Sequence, residues 1–166
     1  MTLVLLVGGA RSGKSTLALE RAALAGGPVV FVATGEAGDE EMAARIELHR
    51  EERPPEWTTV EEPVELGRAL ASIPGDATVV VDCLSLWVAN VLEHAPVEDL
   101  AVADARTAAA RAGLTVAVTN EVGLGIVPDN ELARRYRDVL GRVNAIWAEA
   151  ADEAYFVVAG RALRLE

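Results

Sequence analysis

The 166-residue sequence has few cysteines, lysines and aromatic residues and no long apolar run, and each shortage excludes something. Its single cysteine, Cys83, cannot form an internal disulfide, which favours a reducing compartment and predicts a cytoplasmic protein. No apolar stretch approaches the ~20 residues of a membrane span, so we expect no membrane partner. Residues 1–7 carry no basic group and lead into glycines, which predicts a buried strand rather than a signal peptide.

Basic charge is scarce as well. There are 15 basic residues against 26 acidic ones, and the formal net charge is −11. A surface this acidic would repel a polyphosphate backbone, so we expect no nucleic-acid partner. Of the 15 basic residues, 14 are arginines, and the one lysine, Lys14, lies in a glycine-rich turn.

Apolar runs alternate with helical patterns along the whole chain. The predicted strands are Thr2–Val7, Val29–Ala33, Trp57–Val60, Thr78–Val81, Leu114–Thr119, Glu153–Val158 and Ala162–Leu165. The predicted helices are Lys14–Ala25, Asp39–Glu52, Pro63–Ile73, Leu84–His94, Val97–Ala112 and Asn130–Ala151. This order predicts one α/β domain over residues 1–166, with a mostly parallel, doubly wound sheet and an antiparallel edge at its C-terminus.

The strongest motif is a phosphate-binding loop (P-loop). Residues 8–15 read Gly-Gly-Ala-Arg-Ser-Gly-Lys-Ser, which matches G-x-x-x-x-G-K-[ST], and they lie between a predicted buried strand and a predicted helix. Glycines let successive backbone N–H groups point at phosphate oxygens, and the positive end of the helix supports them. Lys14 would then bridge the β- and γ-phosphates, and the Ser15 hydroxyl would hold Mg²⁺.

Asp82 follows a predicted buried strand directly. An acid at that position can hold Mg²⁺ opposite Ser15, or it can cap the helix that begins at Leu84. Next to a P-loop we favour the metal role.

A GTPase switch is disfavoured, because Ser85 stands where D-x-x-G needs glycine and residues 120–123 lack the lysine and aspartate of N-K-x-D.

His49 lies on a predicted helix among several arginines. Their like charge would hold the imidazole near neutrality, and neutral imidazole can attack phosphorus while guanidinium groups stabilise the developing charge. On spacing alone, however, we favour a histidine that covers a core edge beside Met42 and Ile46.

Two further segments have open interpretations. The loop Asn120–Pro128 follows a buried strand at the same sheet edge as the P-loop, so it is either a substrate loop or a plain connection. An apolar stripe predicts either a homo-oligomer contact within residues 84–112 or ordinary core packing. Its members are Trp87, Val88, Val91 and Leu92.

Several motifs occur together in this chain. They are residues 8–15, Ala33-Thr34-Gly35, Met42–Ile46 with His49-Arg50, Arg53-Pro54, Trp57, Glu61, Thr119–Pro128, Leu132–Arg134 and Gly141–Asn144. In this combination the sequence resembles the bifunctional adenosylcobinamide kinase/adenosylcobinamide-phosphate guanylyltransferases of cobalamin biosynthesis. The resemblance covers nearly the whole chain. Only the region between about Asn90 and Gly113 is shorter than is usual in that family.

The resemblance implies a RecA-like P-loop fold, a homo-oligomer and two reactions. The first phosphorylates adenosylcobinamide with a nucleoside triphosphate, ATP or GTP. The second moves GMP from GTP, through a histidine that matches His49, onto the new phosphate. The resemblance implies His49 as a catalytic residue, beside Lys14, which the P-loop motif already makes catalytic, and Ser15 and Asp82 remain the predicted Mg²⁺ side. The implied nucleotide contacts are Gly8, Gly9, Ala10, Arg11, Ser12, Gly13, Lys14, Ser15, Ala33, Thr34, Gly35, Arg50, Glu51, Glu52, Arg53, Glu61 and Asp82.

Two other functions remain open at this point. One is a single-step small-molecule kinase that uses only Lys14, Ser15 and Asp82, which would have no need of His49 and its arginines. The other is a nucleotide-binding assembly subunit whose hydrolysis drives a partner, which would show no corrinoid-dependent turnover.

Overall fold

The structure is a computed structural model that describes residues 2–38, 40–51 and 53–166, with the backbone alone for residues 41, 42, 45 and 49. The strands are β1 (Thr2–Gly8), β2 (Val29–Ala33), β3 (Thr58–Glu61), β4 (Thr78–Asp82), β5 (Leu114–Asn120), β6 (Glu153–Val158) and β7 (Arg161–Leu165). The helices are α1 (Lys14–Ala25), α2 (Glu40–Glu51), α3 (Leu66–Ser72), α4 (Leu84–Val91), α5 (Val97–Ala109) and α6 (Glu131–Ala150).

One sheet of seven strands organises the described residues, in the order β3-β2-β4-β5-β1-β6-β7. All neighbours pair in parallel except β6 and β7, which form an antiparallel hairpin at one edge. The predicted sheet is therefore confirmed, and the predicted elements are all present with small differences at their ends. The largest differences are three residues each: α3 begins at Leu66, α4 ends at Val91 and α5 ends at Ala109. Asp39 and Glu52, the predicted ends of α2, lie outside the described residues.

Helices cover both faces of the sheet, which explains why its strands are continuous apolar runs. In β1, Leu3 and Leu5 pack into a core shared with α3, α4, α5 and α6. Val4 and Leu6 point the other way, into a core that includes Ala18 of α1. Alternate residues of β1 thus fill two different cores. A strand that alternated apolar and polar residues would bury its polar side chains in one of them.

The apolar stripe on α4 belongs to the first of these cores. Trp87, Val88, Val91 and Leu92 are all less than 5% exposed. The indole N–H of Trp87 donates to the carbonyl of Val64, 2.9 Å away. The prediction that this stripe serves a contact between subunits is therefore wrong, because its side chains already pack inside one chain. The homo-oligomer itself stays a prediction.

The longest helix, α6, is strongly amphipathic. It begins at the cap residue Asn130, whose side chain accepts a hydrogen bond from the N–H of Ala133 at 2.8 Å. It buries Leu140, Val143 and Trp147, and its opposite face is charged. Among the described residues, none of the helices combines the length and the apolar character that a bilayer crossing requires.

Asp104 of α5 is a buried carboxylic acid, 7% exposed, that lies against Gly67 of α3. The Gly67 N–H donates to it, and a Cβ at Gly67 would collide with its carboxyl. Burial raises the pKa of Asp104 to about 6 from its ordinary value near 3.8. A raised pKa means that the folded state prefers the neutral acid.

The Asp104→Asn variant is expected to be more stable than the parent at pH 8. The contribution of neutral Asp104 to the free energy of unfolding is fully present below about pH 4 and is lost as pH rises through about 6. At pH 8 the ionised carboxylate therefore opposes folding, by about 2–3 kcal/mol at most. Asparagine keeps an acceptor for the Gly67 N–H and carries no charge. Urea unfolding at pH 4 and pH 8 measures the difference. A gain of equal size at both pH values would contradict this account.

Candidate functional site

The P-loop joins the interior strand β1 to α1. Arg11 and Gly13 have φ values of 55° and 99°, which curl the backbone between the two elements. The N–H of Leu17 donates to the carbonyl of Gly13 at 3.0 Å, so the helix begins immediately after the turn. Such a turn at a helix N-terminus forms the concave array of N–H groups that phosphate oxygens prefer.

The hairpin of β6 and β7 packs directly beneath this loop. A Cβ at Gly8 would collide with the carbonyl of Val157, and one at Gly13 would lie 3.1 Å from Cα of Gly160. The Gly160 N–H donates to the carbonyl of Ser12 at 2.9 Å. Sequence reasoning predicted the antiparallel edge at the C-terminus but missed its contact with the loop. The two loop glycines are therefore required by close packing as well as by phosphate access.

Lys14 is buried in the loop, with 6% of its surface exposed. Its Nζ donates to the carbonyl of Gly9 at 2.6 Å and to Oγ of Ser12 at 3.4 Å. These partners belong to the loop itself, so phosphate oxygens that enter the loop would meet an ammonium that is already positioned.

Asp82 ends β4, two strands away from β1 and about 10 Å along the sheet edge at ordinary strand spacing. The N-cap position of α4 is taken by Cys83, so Asp82 is not its N-cap residue. The Thr34 hydroxyl donates to the Cys83 carbonyl at 2.7 Å and accepts from its N–H at 2.9 Å. This exchange holds Asp82 at the carboxyl edge of the sheet.

Most of the polar groups of Ala33 and Thr34 form hydrogen bonds inside the fold. Thr34 is fully buried, and its carbonyl accepts from the Asn90 side-chain amide at 2.8 Å. The Ala33 carbonyl accepts from the N–H of Glu62 at 2.9 Å. Ala33, Thr34 and Gly35 were all predicted to contact nucleotide. The Thr34 hydroxyl, however, already forms two hydrogen bonds with Cys83. Its visible role is to join the ends of β2 and β4.

The end of α2 and the turn after it bring two arginines, Arg50 and Arg53, to the site. Arg50 is an exposed residue that forms ion pairs with Glu61 at 2.9 Å and with Glu47 at 3.2 Å. Arg53 stacks on the ring of Phe31, 3.7 Å from its centre. Burial lowers the pKa of Arg53, while the nearby charge of Asp82 raises it.

His49 and Glu52 are the two predicted site residues whose side chains lie outside the description. The backbone of His49 belongs to α2, one residue before Arg50, and Glu52 follows Glu51, which is exposed. The structure thus places the predicted residues in two groups along one sheet edge. The P-loop lies at β1, while Arg50, Arg53 and Glu61 lie at β2 and β3, with Asp82 between the two groups.

The loop Asn120–Pro128 joins this edge beside the P-loop. The N–H of Glu121 donates to the carbonyl of Gly8 at 3.0 Å. Its base is braced by Asn144 of α6, which accepts from the Thr119 hydroxyl at 2.7 Å and donates to the Asn120 carbonyl at 3.0 Å. Sequence reasoning did not give Asn144 a role. The available signal was a polar residue on the buried face of an amphipathic helix.

Clusters suited to bind a metal through protein ligands alone do not occur in the described part of the chain, counting groups of three or more His, Cys, Asp or Glu. The Ser15 hydroxyl and the Asp82 carboxylate are hard oxygen groups at one sheet edge. Mg²⁺ commonly takes one or two such ligands and completes its shell with phosphate oxygens and water. The donor set therefore fits Mg²⁺ that arrives with a nucleotide.

Comparison with known proteins gives a match along almost the whole chain. Residues 4–165 match the family model described as cobinamide kinase / cobinamide phosphate guanyltransferase. The chain is 41% identical to the bifunctional adenosylcobalamin biosynthesis protein CobP of Pseudomonas aeruginosa, covering 98% of this chain and 96% of that protein. It is 38% identical to the bifunctional adenosylcobalamin biosynthesis protein CobU of Escherichia coli, covering 99% of each.

Solved structures with a similar fold are far more distant in sequence. The flagellar accessory protein FlaH of Methanocaldococcus jannaschii superposes with a TM-score of 0.57 at 16% identity, covering 99% of this chain and 78% of that one. The KaiC-like protein PH0186 of Pyrococcus horikoshii gives 0.51 at 15% identity, covering 93% and 70%. At this identity the likeness shows the fold alone, a mostly parallel sheet with helices on both faces, as predicted.

Proposed function

The chain belongs to the cobinamide kinase / cobinamide phosphate guanyltransferase family, and from that membership we infer how its own residues divide the two reactions. It is a bifunctional transferase of cobalamin biosynthesis that phosphorylates adenosylcobinamide and then transfers GMP to the product. A division of labour is supported by two separate charged groups on one sheet edge. The P-loop group contains Lys14, and the α2 group contains Arg50, Arg53 and Glu61.

The P-loop group serves the kinase step. Backbone N–H groups of residues 8–15 bind the triphosphate, and the Lys14 ammonium neutralises charge as the γ-phosphoryl group leaves. Lys14 is already held in place by the Gly9 carbonyl, so little reorganisation accompanies binding. When bound, Mg²⁺ neutralises further phosphate charge, and the Ser15 hydroxyl and the Asp82 carboxylate are the groups that would hold it.

The α2 group serves the transfer of GMP. The His49 imidazole attacks the α-phosphorus of GTP, a P–N bond forms, and the bond to pyrophosphate breaks with its electron pair on the leaving oxygen. The phosphate of adenosylcobinamide phosphate then attacks the same phosphorus and releases the imidazole. Arg50 and Arg53 supply positive charge near these phosphates, and Glu61 positions Arg50 through their ion pair.

The two other functions considered above have less support. A one-step kinase would not require the arginine group at α2, and the full-length similarity to proteins named as bifunctional speaks against it. An assembly subunit would rest on the distant fold likeness alone.

Incubation of the protein with GTP, Mg²⁺ and adenosylcobinamide, followed by mass spectrometry of the corrinoids, tests this function. We expect adenosylcobinamide phosphate first and adenosylcobinamide-GDP later, with pyrophosphate released in proportion to the second product. The phosphate alone as product would establish a one-step kinase. Triphosphate hydrolysis that is independent of the corrinoid would instead support an assembly subunit.

A further inference from the structure

The loop between β5 and α6 presents aliphatic side chains to solvent beside the P-loop. Leu124, Ile126 and Val127 are 81%, 98% and 62% exposed. Val122 of the same loop is 38% exposed. Single exposed apolar residues are ordinary, but four in one loop form a patch of the kind that marks a contact surface.

This loop forms one wall of a cleft of about 340 Å³. The other walls are residues 9–12 of the P-loop and the end of β6, where Phe156 and Val158 contribute apolar surface. Leu163 of β7 pairs with Phe156 across the hairpin and is itself exposed. Paired residues of antiparallel strands share one face of the sheet, so the apolar surface extends from the loop onto the hairpin. We call this surface, formed by Leu124, Ile126, Val127, Val158 and Leu163, the apolar face.

Glu121 brings a carboxylate to the same cleft. It follows β5, and β5 lies between β1, which leads into the P-loop, and β4, which ends at Asp82. The Glu121 carboxylate accepts a hydrogen bond from the N–H of Gly123, which fixes the start of the loop. An acid is thus placed at the strand end between the two elements that would hold the terminal phosphate.

We propose that this cleft is the acceptor site of the kinase step, where the apolar face binds the corrin ring of adenosylcobinamide and Glu121 takes the proton of its hydroxyl. The proposal rests on the function inferred above and adds the residues that bind the second substrate. In this step the acceptor O–H bond breaks and its proton moves to Glu121. The oxygen forms a bond to the γ-phosphorus, and the nucleoside diphosphate leaves with the electron pair of the broken P–O bond.

The chemistry of the acceptor suits this surface. A corrin ring bears many methyl groups, and its cobalt(III) centre gives adenosylcobinamide a net positive charge. The chain has a net charge of −11, and Glu121, Asp129 and Glu131 stand in or just after this loop, against one cationic residue of the cleft lining, Arg11. Opposite charge and shared apolar character therefore favour this ligand.

The double variant Leu124→Ser/Ile126→Ser tests the apolar face through binding. Equilibrium dialysis with adenosylcobinamide, read by its visible absorbance, is expected to show affinity lowered by about tenfold or more, because two aliphatic contacts are lost. Affinity for GTP should stay within about twofold of the parent. The matched control is Leu24→Ser on α1, since Leu24 is 86% exposed and belongs neither to the cleft lining nor to the apolar face. It should change neither affinity.

The Glu121→Gln variant tests the proton transfer. Glutamine keeps an oxygen that can accept from the Gly123 N–H, but it cannot take a proton. We expect the kinase kcat to fall by about a hundredfold at an unchanged KM for adenosylcobinamide, since a general base contributes about 10²–10⁴-fold. Formation of the protein–GMP adduct from GTP alone should be unaffected. A kinase kcat that is unchanged in Glu121→Gln would overturn the assignment of this carboxylate.

Three outcomes with the double variant, two from dialysis and one from light scattering, would overturn the acceptor site. Unchanged corrinoid affinity in the double variant would remove its basis. Weakened GTP binding would assign the cleft to the nucleobase. A smaller assembly by light scattering, with corrinoid affinity intact, would assign the apolar face to a second copy of the chain. If the parent protein neither binds nor modifies adenosylcobinamide, the inferred function itself fails, which these variants distinguish from failure of the site.

Discussion

The His49→Ala variant is expected to form no covalent adduct with GMP and to lose transfer of GMP to adenosylcobinamide phosphate by about a thousandfold or more. Removal of a nucleophile costs on this order because no neighbouring group replaces its bond to phosphorus. The parent protein, mixed with GTP and Mg²⁺ without corrinoid, should gain the mass of one GMP and release pyrophosphate. Intact-protein mass spectrometry and peptide mapping measure both.

The chemistry of the adduct gives an independent check. A P–N bond to histidine is labile in acid and durable in base, whereas an acyl phosphate on Glu61 or Asp82 would behave in the opposite way. The sequence also provides a matched control, because it contains two histidines. His94→Ala changes an exposed residue just beyond α4 and should leave labelling intact. Peptide mapping that places GMP on another residue would refute the role of His49.

Kinase activity should persist at least in part in His49→Ala, since the P-loop group acts without α2. This separation follows from the sheet order, in which β5 and β4 lie between the P-loop strand and β2. A His49→Ala protein that loses both activities equally while it remains folded would show that the two groups form one inseparable site.

The Lys14→Ala variant is expected to lose both reactions, each by at least about a hundredfold. One preorganised cationic donor at a developing phosphate charge is worth about this much, and both reactions begin from a bound triphosphate. Lys14→Arg should recover little activity, because a planar guanidinium does not fit the space of a compact ammonium that lies 2.6 Å from the Gly9 carbonyl. Steady-state rates for both products and titration with GTP provide the measurement.

A suitable control for Lys14 is another basic residue of α1. Arg21 forms an ion pair with Glu153 at 3.3 Å, away from the P-loop, and Arg21→Ala should keep both activities. Circular dichroism establishes that each variant is folded. Near-normal turnover in folded Lys14→Ala would remove the P-loop from the mechanism.

Much of the fold could be predicted from the sequence because its strands are short apolar runs bounded by glycine, proline or aspartate. The P-loop could also be predicted, because its residues are consecutive and form one local motif. The α4 stripe shows the limit. Periodicity identifies an apolar face but not what covers it, and only the folded chain shows that α4 packs against its own core.

Contacts between distant segments were beyond prediction for the same reason. Arg111 is buried, and its guanidinium donates to the carbonyls of Leu70, Ile73, Pro74 and Ala77 at 2.7–3.1 Å. These carbonyls lie at and after the end of α3, where helical partners are missing. In the sequence, Arg111 is merely one of 14 arginines. The Thr34 and Asn144 hydrogen bonds are likewise invisible until the strands are placed.

The packing of the hairpin beneath the P-loop determines when the nucleotide site can exist. β1 lies between β5 and β6, and the loop after it is held by Val157 and Gly160, about 150 residues later in the chain. A ribosome must therefore release nearly all of these residues before the loop has its support. We therefore expect GTP to give little help to the folding of the emerging chain, and products that stop short of the hairpin to bind nucleotide poorly.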